Sequence, residues 1–554
     1  MAAVGLLGIA ITDQEFNTAA CDAKEIKIHT EAKKAELDGQ KFAFHIGQVK
    51  KELTGYGGFR PAFQKDPGVP QGQQYEDDGV QRENWRAPFA APDQGVTHQL
   101  CAWVEGLTLD QIPEDVQTRA KNLILDGLGC VIVGAHLSWT ENATNTVLTM
   151  ESPGNFGPLP AALLNSTQIQ SFELDDWHFL APLHSNSIVL PALLAAASQA
   201  KAGGKATSGA SVLFSTIVRY ETGPRVGLSL YGSDMLSRGW HSGVVFGHAA
   251  AATSVAKLLD LRASSIEDAV GIACTQACGL MSAQFSSDAK RMQHGFASRN
   301  GLFGALMAAG GYSGIKRVFE EPYGGFLTMF SQGSKRVPPY LEEELVKGLG
   351  EIWQLESIRV KPYASMAGTH CTIATVAALQ TEYPDKLRDR RAITRIIYEM
   401  SEAAYKHGGW KPERPLTAIG AQMSCAYVAA VQMVDGQVLP QQFRADQLDR
   451  EVIWELVEKT ECVQNNEFKE IFSQRASIHF SDGSKISKTL QAPKGVDPPL
   501  SNQEIVDKYR ALTKGLITDE RQKAIEDAVL RLERLDDISQ LEALLVDLTL
   551  SPFR

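Results

Sequence analysis

Residues Ser171 to Ser187 read S-F-E-L-D-D-W-H-F-L-A-P-L-H-S-N-S, and this run sits between two apolar, alanine-rich stretches. Three carboxylates (Glu173, Asp175, Asp176) and two imidazoles (His178, His184) fall within twelve positions. Such groups either titrate usefully near neutral pH or hold those that do. A solvated loop would account for the charges but not for Phe172, Leu174, Trp177, Phe179, Leu180 and Leu183 threaded among them. The pattern predicts a largely buried segment whose polar groups are paired, as an active-site segment requires.

The flanks are helical in pattern. Pro113-Glu-Asp opens a helix, with acids at its positive end and Val116, Ala120, Leu123, Ile124 and Val131 at helical spacing. Ile188–Gln199, Val244–Leu259, Ser265–Gly279 and Gly301–Gly311 are crowded with Ala and Gly, which lets helix axes approach closely. This predicts an all-α body. The period changes near Leu349: Leu355–Pro362 and Ile393–Met400 read as strands, and Ala476–Leu490 reads as a hairpin turning at Asp482-Gly483. His370–Gln380 and Gly420–Val434 carry helical spacing between them. The fold class expected is therefore mainly α, a large helical domain with a smaller α+β domain. The expected boundaries are a poorly ordered extension over 1–95, helical sequence over 96–349, the α+β part over 350–495 and helices again over 496–554, where Ile525, Val529, Leu532, Leu535 and Leu541 cover one face. Within the extension, 22–53 could form a charged surface helix, and 54–95 is rich in Gly, Pro and Gln.

The totals narrow the function classes. The 554 residues suffice for more than one domain, and 54 basic against 65 acidic residues give a net charge of −11. An acidic surface argues against nucleic acid, so an anionic substrate must be met by a local cluster of cations. No apolar run approaches a membrane span, and the N-terminus has neither a secretory nor an Arg-rich mitochondrial character, so a cytoplasmic protein is expected. Eight cysteines include no C-x-x-C pair, and Cys274 and Cys278 are expected to pack as small apolar residues.

The run E-L-D-D-W-H…A-P-L-H-S, with S-I-V-L-P-A after it, resembles the signature segment of the MmgE/PrpD family, and within it that of the fungal cis-aconitate decarboxylases rather than the 2-methylcitrate dehydratases. The likeness continues in G-P-R-V-G (223–227), Y-G-S-D (231–234), G-W-H (239–241), G-I-A-C-T-Q-A-C-G-L-M-S-A-Q (271–284), K-R-M-Q-H-G-F-A-S-R-N-G (290–301) and Y-G-G-F-L (323–327), and it spans roughly residues 96–554. It implies that the C-terminal tail returns to the helical body, that the α+β part is an inserted lid, that the enzyme is a homodimer and that no cofactor or metal takes part.

The residues fit that chemistry. His184 is the first choice for a proton donor and His294 the second, with Asp175 and Asp176 as orienting or structural acids, since two adjacent carboxylates would repel a tricarboxylate. Lys290 and His294 stand four apart, on one face of a helix if that segment is helical. Arg225, Lys290 and Arg291 offer cations to a di- or tricarboxylate, with Arg238 and Arg299 behind them. Glu173, His178, Trp240, His241, Tyr363 and His370 complete the substrate-binding candidates; the family brings Trp240-His241 and the Lys361–His370 segment to its pocket. Ser365-Met366-Ala367-Gly368, Trp177 and the stretch around Gly154–Leu159 differ from the family pattern, and Trp177, Leu180 and Met366 could line a pocket for an alkyl-substituted aconitate in secondary metabolism. Asp175, Asp176, His178 and His184 could also be read as metal ligands, although nothing else in the chain has ligand spacing. Residue types alone leave a 2-methylcitrate dehydratase-type hydro-lyase and a catalytically silent scaffold paralogue as alternatives.

Overall fold

The computed structural model describes residues 95–150, 157–284 and 287–553. The expected helix over 22–53, all but the last residue of the irregular stretch 54–95 and residues 154–156 of the Gly154–Leu159 region lie outside them.

Helices build the first part: α1 Val96–Gly106, α2 Glu114–Gly134, α3 Ser138–Met150, α4 Pro158–Gln170, α5 Ser185–Ala202, α6 Gly209–Ser229, α7 Ser242–Leu258, α8 Ala263–Cys274 and α9 Ala289–Ala309. α2 starts as its sequence dictates, with Pro113 at the cap and Glu114 and Asp115 in the first turn. Their small residues allow the close packing: a Cβ at Gly301 of α9 would collide with Ala251 of α7, and one at Gly227 of α6 would press on the Phe246 ring of α7. No single described helix is long and apolar enough to cross a membrane. These helices bury residues all round because each is covered on several sides.

The second part contains α10 His370–Glu382, α11 Ala418–Met423, α12 Cys425–Asp435 and α13 Glu451–Glu458, packed with a four-stranded sheet. Within the sheet the order is β4-β3-β5-β6, where β3 is Ile393–Met400, β4 Thr460–Gln464, β5 Gln474–Phe480 and β6 Lys485–Leu490. β4 runs parallel to β3, and the other pairings are antiparallel. Gly483 adopts φ 81° in the β5–β6 turn, a conformation that glycine enters without steric cost. After β6 come α14 Asn502–Thr513, α15 Asp519–Leu530 and α16 Ser539–Leu545, of which α14 and α15 pack on α2, back in the first part.

One pairing joins the two parts. β1, Asp176–His178 in the signature run, pairs antiparallel with β2, Ile358–Val360, so that Asp176 faces Val360 and His178 faces Ile358.

Three sequence expectations are corrected. The helix expected over Ser265–Gly279 ends at Cys274, because the chain must turn so that Leu280 can pair with Trp240, and Gly279 takes φ 122°. Cys274 is buried, as expected of a small apolar residue, whereas Cys278, beyond the helix end, is exposed. Gly420–Val434 is two helices rather than one, broken at Ser424, whose hydroxyl accepts from Tyr427 N and caps α12. The helix expected to start at Gly301 starts at Ala289, which places Lys290, Arg291 and His294 on it.

Candidate active site

The signature run threads between helix ends. His184 is the N-cap of α5 and His241 the N-cap of α7, while Lys290 and Arg291 lie in the first turn of α9. Unpaired N–H groups and aligned peptide dipoles make helix N-termini favourable places for an anion.

Glu173 is the hub of the charged cluster. Its backbone takes φ 56°, left-handed and costly for a residue with a side chain. Its Oε1 accepts from Lys290 Nζ and from Arg291 Nη1 at 2.7 Å, and its Oε2 accepts from Lys361 Nζ at 2.9 Å. All four side chains are buried. Burial pushes the Glu173 carboxyl up, but Lys290, Lys361 and Arg291 together hold it well below the usual carboxylate range. Lys290 is lowered to about 8, first by burial and then by Arg291, against the opposing pull of Glu173. Three cations share one carboxylate, and Arg291 Nη2 and Nε have no hydrogen-bond partner among the described residues. The cluster thus keeps positive charge in reserve for a further anion.

Beside it runs a row of imidazoles. Asp175 Oδ2 lies 3.0 Å from His184 Nδ1. Burial raises the Asp175 pKa and the neighbouring His184 lowers it further, so the carboxylate stays ionised. This pairing places the proton on Nδ1 and leaves Nε2 for chemistry, and the carboxylate stabilises the imidazolium. The rings of His184 and His294 are 5.0 Å apart and those of His294 and His241 5.1 Å. Ser187 Oγ donates to His184 O at 3.0 Å and meets His294 Nδ1 at 2.8 Å, so Nδ1 carries the proton. His294 Nε2 has no hydrogen-bond partner among the described residues. Burial, with His184 and His241 nearby, pushes His294 well down, and burial with Lys290 pushes His241 down to about 3, so both rings are neutral near pH 7. His184, 18% exposed, is the member of the row that touches solvent.

The other sequence candidates divide. Tyr363 packs edge-on against His370, 5.3 Å between rings, and His370 Nε2 donates to Ser365 O at 3.0 Å; both follow Lys361 on the chain. Burial lowers His370 to about 3. Trp177 stands edge-on to the same ring at 6.5 Å. Leu180 is largely exposed and the Met366 methyl lies beside Gly408.

Asp176 faces the scaffold instead: its carboxylate accepts from Asn186 N at 3.0 Å and Tyr220 OH at 2.7 Å, with Arg219 donating to the same hydroxyl at 2.6 Å. His178 Nδ1 accepts from Ala181 N at 2.9 Å, and burial lowers the ring to about 4. Strand alternation along β1 sends Asp176 and His178 one way, Asp175 and Trp177 the other. The four candidate metal ligands of the run therefore do not converge.

Arg225 lies apart from the cluster, beside Glu221, donating to Lys347 O and to Ile352 O at 2.9 Å. Arg238 donates to Phe330 O, and Arg299 to Asn300 Oδ1 at 3.0 Å. Trp240 packs on Phe330 at 5.2 Å. These four serve the scaffold around the site.

Lys361 opens a segment that the sequence reading brought to the pocket, but it was given no role of its own there, and Lys508 and Gln422 were not singled out. A cavity of about 640 Å3 opens between α15 and α16, but none of the cluster residues lines it.

The MmgE/PrpD N-terminal domain matches residues 98–337, and the MmgE/PrpD C-terminal domain matches residues 363–534. The chain belongs to the MmgE/PrpD family. It is 48% identical over 473 residues to the cis-aconitate decarboxylase-like protein oryM of Aspergillus oryzae, covering 82% of this chain and 98% of that one. Identity to a cis-aconitate decarboxylase of Aspergillus terreus is 47% over 470 residues, 81% of this chain and 96% of the relative. The cis-aconitate decarboxylase of Mus musculus is 25% identical over 475 residues, 82% and 93% of the two chains.

Proposed function

We propose that this member of the MmgE/PrpD family is a carboxy-lyase of the aconitate decarboxylase type, acting on cis-aconitate or on an alkyl-substituted cis-aconitate. The observation that carries the reading is the meeting of Lys290, Arg291 and Lys361 on Glu173, next to the Asp175–His184 pair. Three cations against one carboxylate suit a polyanion, and the imidazole row suits a proton transfer beside it.

The substrate supplies its own electron sink. The carboxylate on its CH2 group leaves as CO2, the bonding pair forms a new double bond, and the old double bond shifts its electrons to the carbon bearing the retained carboxylate. That carbon takes a proton, giving itaconate or its alkyl homologue. The protein has to hold the anions where charge develops and deliver one proton. Lys290, Arg291 and Lys361 do the first. His184, oriented by Asp175, does the second as imidazolium, with neutral His294 and His241 packed behind it. Tyr363, His370 and Trp177 form the side where an alkyl group would be admitted or refused. The family resemblance also supports a homodimer and a lid role for the α+β part.

CO2 release by purified enzyme in chelator-treated buffer, with cis-aconitate and then a hexyl homologue, tests the reading. Release from cis-aconitate with itaconate as product is the expected result for the unsubstituted substrate, and release from the homologue alone assigns the enzyme to alkylitaconate formation. Water loss or addition without CO2 overturns the decarboxylase reading in favour of a hydro-lyase.

A further inference from the structure

The left-handed turn at Glu173 is gripped on both sides by residues far along the chain. Before it, Phe172 O accepts from Gln422 Nε2 of α11 at 3.0 Å, and the same amide reaches Ala364 O at 2.9 Å. After it, Leu174 O accepts from Lys508 Nζ of α14 at 2.5 Å. Lys508 is buried and forms an ion pair with Asp126 of α2, Nζ to Oδ1 2.6 Å. A lysine is rarely taken so completely from water unless its partners matter. Neither Gln422 nor Lys508 touches the reacting centre, yet their donors end on the two carbonyls that flank the hub. Phe172 O lies in the peptide plane that enters Glu173 and Leu174 O in the plane that leads into Asp175, so the two contacts bracket the turn and set where Glu173 and Asp175 point.

We infer that Lys508, braced by Asp126, and Gln422 are positioning residues of the active site: they fix the strained turn that presents Glu173 to its three cations and Asp175 to His184. The inference rests on reading the Glu173 cluster as the substrate site. Without the clamps the turn at Glu173 can relax to a negative φ, which removes the strain and moves the carboxylate off Lys290, Arg291 and Lys361. Misplacement of about an ångström at a catalytic group costs on the order of a hundred-fold in rate.

The single variant Lys508→Met would strand Asp126 as an unpaired buried charge and confound stability with position. The double variant Asp126→Asn/Lys508→Met removes both charges and keeps the shapes, so it restores a neutral interior while still lacking the donor to Leu174 O. The expected result is a melting temperature recovered relative to Lys508→Met, with kcat still down by ten-fold or more, on the order of what such misplacement costs, and KM changed far less. Gln422→Met is the independent second variant and is expected to show the same kcat-dominated loss. Hydrogen exchange over residues 171–178 is expected to speed up in both proteins. Wild-type kcat in the double variant together with wild-type kcat in Gln422→Met overturns the inference, as does unchanged exchange over 171–178. The exchange measurement needs no turnover, so the inference is decided even if the wild-type enzyme releases no CO2; that outcome would count against the proposed reaction alone.

Discussion

Asp175 and Asp176 are chain neighbours with the same side chain and the same complete burial, and they do opposite work. Asp175 faces a histidine and a lysine of the charged cluster; Asp176 is bound by a backbone amide, a tyrosine hydroxyl and, through it, an arginine of α6. Their pKa values move apart accordingly: Asp175 is pulled down by His184 against its burial, whereas for Asp176 burial outweighs Arg219 and Tyr220 and pushes it up. One step along the chain exchanges the row of imidazoles, reached from solvent at His184, for the packed interior of the helical part. Chemistry is assigned by which side of β1 a residue faces, more than by what the residue is.

That contrast can be broken by experiment. The largest effect is expected from His184→Ala and Lys290→Ala, each losing turnover while keeping the fold; near-normal kcat in either would remove its assigned role. Asp175→Asn should follow, with kcat down on the order of a thousand-fold from loss of the oriented imidazole and little change in melting temperature. Asp176→Ala should show the converse, costing about 3 kcal/mol of stability because Tyr220 and Asn186 lose a buried acceptor. Denaturant unfolding of the two aspartate variants side by side checks the pair, and equal destabilisation would erase the distinction. The pH dependence is a subtler test. Lys290 is lowered to about 8, and it attracts an anion only while protonated, so KM should rise as pH climbs through about 8 while the low-pH side stays flat in KM. The smallest effect concerns Arg225. Placed among the carbonyls of Lys347 and Ile352, Arg225→Met should lower stability and leave KM for a tricarboxylate unchanged.

Much of this was legible in the sequence. The helical body, the Ile393–Met400 strand and the turn at Asp482-Gly483 follow from periodicity and turn chemistry, and the pairing of His184 with an acid follows from nine residues of separation in one buried run. Lys361 was visible only as the start of a family segment; one step beyond the Asp176–Val360 pair, the β1–β2 register sets it on the side of Asp175, where it reaches Glu173. Arg225 was offered as a cation for substrate, but its guanidinium reaches the carbonyls of Lys347 and Ile352, a partnership that sequence does not announce. The pairing of β1 with β2 joins segments too far apart for any local pattern to announce. Lys508 did leave a signal: it lies on the same stripe as Ile505, Val506, Tyr509 and Leu512, where a charge among apolar positions asks for a buried partner.

The partners of Glu173 and its two neighbours lie 117, 118, 188, 250 and 334 positions further along the chain. A ribosome making this protein from its N-terminus releases the hub early and the last clamp near the end. Glu173 lacks at least one of its cations until residue 361 has been added, and its turn lacks both clamps until residue 422 has, and contacts of such sequence separation are slow to form. Chains stopped short of α14 would carry Glu173, its three cations and the imidazole row and still lack Lys508, so the last contact on this turn arrives with the final tenth of the polypeptide rather than accumulating as it grows.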